Sequence, residues 1–153
     1  MSQKTQEKGR SYRLTETRTI PKPRSEVFAF AGEFDNIEKW DPGIKSSKKV
    51  GSDPTGVGTM YRVESVMAGA TIPMEYIVRD WQPDKRVELF GRGEGFTSLD
   101  IIEFEDAPNG GTLVRYEAEI TLYNFLRYLG PLMNIPFNRL GEHALDGLVE
   151  TLS

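Results

Sequence analysis

Hydrophobic and polar positions change period three times along the chain, and each change predicts a different kind of element. From Tyr12 onward residues alternate, with Leu14, Glu16, Arg18 and Ile20 sharing one face, the two-residue period of a strand. Pro21-Lys22-Pro23 ends that run, and Ser25-Glu26 lies just inside a short helix. Proline is tolerated at a helix start because the first amides there have no intrahelical acceptor. Val27, Phe28 and Ala31 make its apolar stripe, and Gly32 offers a stop. A second short amphipathic turn carries Phe34, Ile37 and Trp40 before Asp41-Pro42 closes it. A strand and two abutting short helices predict a lid-like V at the end of a sheet, the architecture of a ligand cavity.

Beyond Pro42 the two-residue period returns. Tyr61, Val63, Ser65 and Met67 alternate with Arg62, Glu64 and Val66, and Met74, Tyr76 and Val78 with Glu75, Ile77 and Arg79. Gln82 to Lys85 reads as a turn before Arg86 to Phe90. Gly91, Gly93 and Gly95 mark a bulge or hairpin corner. Ser98, Asp100, Ile102 and Phe104 share one face of the next run. Asn109-Gly110 is a hairpin signal, since both residues readily adopt positive φ. Val114, Tyr116, Ala118, Ile120 and Leu122 then face one way, and Leu113, Arg115, Glu117, Glu119 and Thr121 the other. Short connections between such runs predict an antiparallel sheet with one wet face.

The last thirty residues take the helical period. Phe137, Leu140, Gly141, Ala144, Leu145, Leu148 and Leu152 form one stripe, opposite Arg139, Glu142, Asp146 and Glu150. Phe125, Leu129, Leu132 and Met133 extend that face upstream, with kinks or breaks at Gly130-Pro131 and Pro136. The order is β, α, α, about six β, then a long C-terminal α. A curved sheet gripping such a helix leaves room for a cavity between them.

Composition narrows the function classes. A chain of 153 residues is one domain that buries roughly 70% of its unfolded surface. Net charge of −4, pI near 5.1 and mean hydropathy of −0.45 predict a soluble protein. Basic residues are scattered rather than striped, so nucleic acid is not an expected partner. No apolar run approaches the ~20 residues of a membrane helix, and the polar first ten residues do not resemble a signal peptide. Cysteine is absent, which removes disulfides, thiolate zinc sites and cysteine nucleophiles and agrees with a cytoplasmic location.

Ile20-Pro21-Lys22-Pro23 running into Glu26-Val27-Phe28, then Asp35-Asn36-Ile37-Glu38-Lys39-Trp40-Asp41-Pro42, Gly56-Val57-Gly58-Thr59 and Asn109-Gly110-Gly111-Thr112 occur in an order that resembles the START-like, helix-grip (SRPBCC) superfamily. The likeness is to its bacterial polyketide cyclase/dehydrase and lipid-transport branch, and it covers Tyr12 to Leu152. It implies an α+β helix-grip fold, with a curved antiparallel sheet of about six or seven strands around the C-terminal helix. Residues 11–153 would form one ligand-binding domain behind a frayed tail, 1–10. The resemblance also implies a small hydrophobic partner, a lipid, polyketide or aromatic metabolite, held as a monomer or homodimer. It does not fix the chemistry, because fold does not give function.

The chemical candidates follow from the predicted faces. His143, the only histidine, sits on the wheel near Arg139, Asp146 and Glu150, a solvated position, and one histidine without cysteine is a poor zinc set. No Gly-x-Ser-x-Gly elbow is present. The glycine run lacks the strand-to-helix context of dinucleotide binding, so neither metal nor cofactor is expected. Asp100 shares its face with Ile102 and Phe104, and an inward carboxylate is costly unless paired or hydrogen-bonded. Desolvation would raise its pKa, and an ion pair with Arg18 would lower it. Glu16 and Arg18 also face inward. The expected ligand-binding set is Trp40, Tyr61, Met74, Tyr76, Asp100, Tyr116, Phe125, Leu129, Met133 and Phe137, with Trp40 at the cavity entrance or as a plug. The alternative is a cofactor-free cyclase or dehydratase in which Asp100 and Tyr116 orient an enol and move protons.

Overall fold

A computed structural model describes residues 9–67, 69–123 and 144–153. Seven antiparallel strands form one sheet: β1 Arg10–Ile20, β2 Ile44–Lys49, β3 Met60–Met67, β4 Ala70–Gln82, β5 Arg86–Gly93, β6 Phe96–Asp106 and β7 Thr112–Leu122. The spatial order β1-β7-β6-β5-β4-β3-β2 makes every neighbour from β2 to β7 a sequential hairpin, and only β1 arrives from the far end of the chain. Helix α1 (Arg24–Ala31) and a 3-10 helix (Phe34–Lys39) connect β1 to β2. The chain is helical again through 144–152.

The alternation read from the sequence is the alternation of burial. Phe96, Ser98, Asp100, Ile102 and Phe104 are all buried along β6, and Val114, Tyr116, Ala118 and Leu122 along β7. The two short helices lie on this inner face. Phe28 of α1 meets Phe104 and Trp81 edge-on, with ring centroids 5.2 and 5.0 Å apart. Phe34 of the 3-10 helix lies 5.6 Å from Tyr61 and 4.8 Å from Tyr76, spacings typical of attractive ring pairs. Ala144, Leu145 and Leu148 present the buried side of the C-terminal helix, while Asp146 and Glu150 lie on its wetter side. The predicted stripe upstream of Ala144, and His143 on the opposite side of that helix, lie outside the described residues.

One detail adds to the sequence reading and another decides between its alternatives. Strand β2 (Ile-Lys-Ser-Ser-Lys-Lys) carries no hydrophobic alternation, and the sequence does not predict it. Its one fully buried side chain is Ser47, whose hydroxyl donates to the Phe34 carbonyl at 2.9 Å. A hydrogen bond to the helix therefore does there what an apolar side chain does elsewhere. The glycine run is a hairpin corner without a bulge. Pairing of β5 with β6 runs unbroken from Arg86↔Glu103 to Gly93↔Phe96, and the chain turns at Gly95 with φ +81°. Irregularities in register fall instead between Ile44 and Ser46 and between Val78 and Asp80.

Candidate ligand cavity

Between the inner face of the sheet and the helices lies a cavity of about 100 Å³, several times the space that one water needs. Phe34, Ile37, Met74, Phe96, Ile120 and Ala144 supply apolar wall from both sheet and helices. The polar end is built by β4, β6, β7 and the turn after the 3-10 helix, which bring Tyr76, Ser98, Asp100, Tyr116 and Asp41 to the same space.

Register explains how these groups meet. Asp100 and Ser98 are two residues apart on β6, hence on one face, and Tyr116 stands opposite Ile102, diagonal to Asp100 and within reach of a long side chain. Tyr116 donates its phenolic proton to Asp100 Oδ2 at 2.7 Å, and Ser98 donates to Oδ1 at 2.5 Å. Asp100 thus has two hydroxyl partners. It has no ion pair with Arg18, whose Nε donates instead to Asp146 Oδ1 at 3.0 Å on the C-terminal helix. Tyr76 pairs with Gly91, and Gly91 with Ser98. The Tyr76 ring crosses the glycine, and its phenol comes beside the Ser98 hydroxyl.

Burial decides the electrostatics here. Desolvation raises the pKa of Asp100, and the hydrogen bonds from Ser98 and Tyr116 oppose that rise. Desolvation also pushes the Tyr76 and Tyr116 phenols well above their ordinary value, and the Asp100 charge pushes in the same direction. Asp41 is raised to about 6, first by desolvation and then by Asp100 and Glu16, against a backbone N–H from Gly43. Glu16 is buried on β1, opposite Tyr116. Two further acidic side chains, Asp100 and Glu16, therefore act on Asp41 at the edge of a largely apolar space.

Of the expected ligand set, Met74, Tyr76, Asp100 and Tyr116 line this cavity together. Trp40 is buried one layer behind, edge-on to Tyr116 at 6.4 Å, with its indole N–H lacking an acceptor among the described residues. Tyr61 is fully buried against Phe34 and is not part of the cavity wall. Phe125, Leu129, Met133 and Phe137 lie outside the described residues. Asp41 and Ser98 are site residues that sequence reasoning misses. In sequence Asp41 reads only as a helix stop, but its Oδ1 accepts the Gly43 N–H at 2.8 Å in a local turn. That turn holds the carboxyl at the cavity, a placement no periodicity reveals. Ser98 carries a signal, since it shares the Asp100 face. Among the described residues no group of three or more potential metal ligands comes together, and no helix is long and apolar enough to cross a membrane.

A seven-stranded antiparallel sheet, two short helices after the first strand and a C-terminal helix over an inner cavity define a START-like helix-grip domain. The chain belongs to the family described as polyketide cyclase / dehydrase and lipid transport, whose model matches residues 11–153. Solved structures share the fold. A Thermus thermophilus protein is 21% identical with a TM-score of 0.77, over 92% of this chain and 97% of that one. A START superfamily protein of Mycobacterium smegmatis is 13% identical with a TM-score of 0.76, over 92% and 96%. The Zhui aromatase/cyclase of a Streptomyces species is 9% identical with a TM-score of 0.74, over 94% of each chain. No curated protein matches the sequence significantly.

Proposed function

We propose that this protein binds a small hydrophobic molecule, a lipid, polyketide or aromatic metabolite, in the cavity between the sheet and the C-terminal helix. The observation that carries the reading is an apolar wall closed at one end by the Asp100, Tyr116, Ser98 and Tyr76 cluster. Pockets for small molecules combine such walls with a few polar groups that set orientation. Family membership supports the same class of ligand. The neutral probe N-phenyl-1-naphthylamine should bind saturably at one per folded chain. A competing occupant should displace it and raise Tm by mass action. Probe binding that does not saturate, or that no occupant displaces, would remove the reading.

A second reading has its own support, the raised pKa of Asp41 and Asp100 beside two phenols. A carboxyl that titrates near 6 is suited to proton transfer close to neutral pH, and the folds compared above include an aromatase/cyclase. On this reading the chain is a cofactor-free cyclase or dehydratase, with Asp100 and Tyr116 at the reacting enol. Asp100→Asn should then abolish turnover of a polyketide-like substrate while its binding persists. On the binding reading the same change alters affinity or stability, with no turnover to lose.

A further inference from the structure

Among the described residues, most hydroxyl donors at the polar end of the cavity are already spent on a protein acceptor. Ser98 and Tyr116 each give their single proton to Asp100, Ser65 gives its own to the Met74 sulfur at 3.3 Å, and the Gly43 N–H goes to Asp41 Oδ1. A hydroxyl that donates once keeps only lone pairs. What those residues still offer the cavity is therefore mostly acceptor, the oxygens of Ser98 and Tyr116 and the Asp41 carboxyl, with the Tyr76 phenol beside Ser98 as the remaining hydroxyl. Among the described residues, the ionisable carboxyls lining it are Asp41 and Asp100, and Glu16 of β1 acts on Asp41. Among the described residues that line the cavity there is no lysine, arginine or histidine.

We propose that the cavity selects a compact apolar ligand bearing a hydrogen-bond donor, an amine or a hydroxyl, and rejects a ligand whose polar end is a carboxylate. The inference rests on the binding reading above and assigns its ligand class. A donor would satisfy lone pairs that the cavity wall leaves available. An anion would meet like charge at close range, where little water screens it. A free fatty acid is thereby a poor ligand, whereas an amine or alcohol of the same size is a good one.

Three naphthalenes of matched size test this: 1-naphthylmethylamine, 1-naphthylmethanol and 1-naphthoate. Each is titrated into the intact protein at about pH 7.5, where a carboxylate in water is ionised. The amine and the alcohol should bind, and the carboxylate should bind at least about tenfold more weakly. Asp41→Asn keeps an acceptor for Gly43 and removes one charge, so the gap should narrow at least about threefold in that variant. Asp100→Asn should narrow it as well, and should it fail to fold, Asp41→Asn alone decides. Naphthoate binding as tightly as the alcohol, or a gap unchanged in Asp41→Asn, overturns the selectivity while leaving cavity binding intact. Failure of all three to bind, together with failure of N-phenyl-1-naphthylamine, overturns cavity binding and the selectivity with it.

Discussion

The Tyr76 ring lies across Gly91, so close that a Cβ on the glycine would stand 2.5 Å from the tyrosine Cζ. Glycine is required there for space, since only a missing side chain lets the ring span β5 and bring its phenol to Ser98 on β6. Gly91→Ala should force the buried ring off its seat at a cost of about 1–3 kcal/mol, the usual range for an overpacked core. It should also weaken probe binding, because Tyr76 lines the cavity. Urea denaturation and probe titration check both halves, and an alanine variant with unchanged stability and unchanged affinity would show that the ring is free to move.

Tyr116 supplies one of the two donors that hold the Asp100 carboxylate in an apolar surrounding. Tyr116→Phe should cost about 1–3 kcal/mol at neutral pH, the penalty for leaving a buried acceptor short of a partner. That hydrogen bond also lowers the Asp100 pKa, so its removal should move the pKa further up. The cost belongs to the ionised form and should shrink as falling pH protonates Asp100. Stability compared at neutral pH and in mild acid tests this, and an equal loss at both would place the effect in packing.

Trp40 joins the 3-10 helix to the C-terminal helix. It is buried, touches Tyr116 edge-on, and its backbone carbonyl abuts Gly147, where a Cβ would stand 1.9 Å from that oxygen. Trp40→Ala should cost roughly 3–5 kcal/mol, as for large aromatic truncations in cores, and Trp40→Phe should retain most of the packing. Gly147→Ala should cost at least as much as an ordinary overpacked site, about 1–3 kcal/mol, because the obstacle is backbone rather than a side chain that can turn aside. Thermal melts rank the three variants. A mild Trp40→Ala with altered ligand kinetics would instead favour a role at the cavity entrance.

How much of this is legible in the sequence depends on which force sets each element. Strands β3 to β7 are legible because burial of one face imposes a two-residue period, and that period places Asp100, Tyr76 and Tyr116 inward without error. The proline-marked start of α1 and the Phe34, Ile37, Trp40 spacing of the 3-10 helix are equally readable. Strand β2 is not, since Ser47 replaces an apolar contact with a hydrogen bond to Phe34. Asp41 is hidden for a related reason: its position comes from one turn, and turns have no period. An Asp100–Arg18 pair follows from inward faces alone. Register excludes it, with Arg18 opposite Val114 and Asp100 opposite Ala118.

Asp41 gives the cavity a signature in stability against pH. Its carboxyl is raised from 3.8 to about 6 in the fold, with desolvation as the main cause and Asp100 and Glu16 adding to it. Between those values the folded chain holds a proton that the unfolded chain has released. Stability from this group is therefore greatest in acid, falls as pH rises from about 4 to 6, and stays level above that window. At about 1.4 kcal/mol per unit, the loss amounts to roughly 2–3 kcal/mol. Asp41→Asn cannot titrate and keeps an acceptor for the Gly43 N–H, so it should match the wild type near pH ~4 and exceed it by up to about that amount near pH ~7. Urea midpoints taken across the window should diverge with rising pH. Parallel curves for the two proteins would mean that the Asp41 carboxyl titrates in the fold as it does in water.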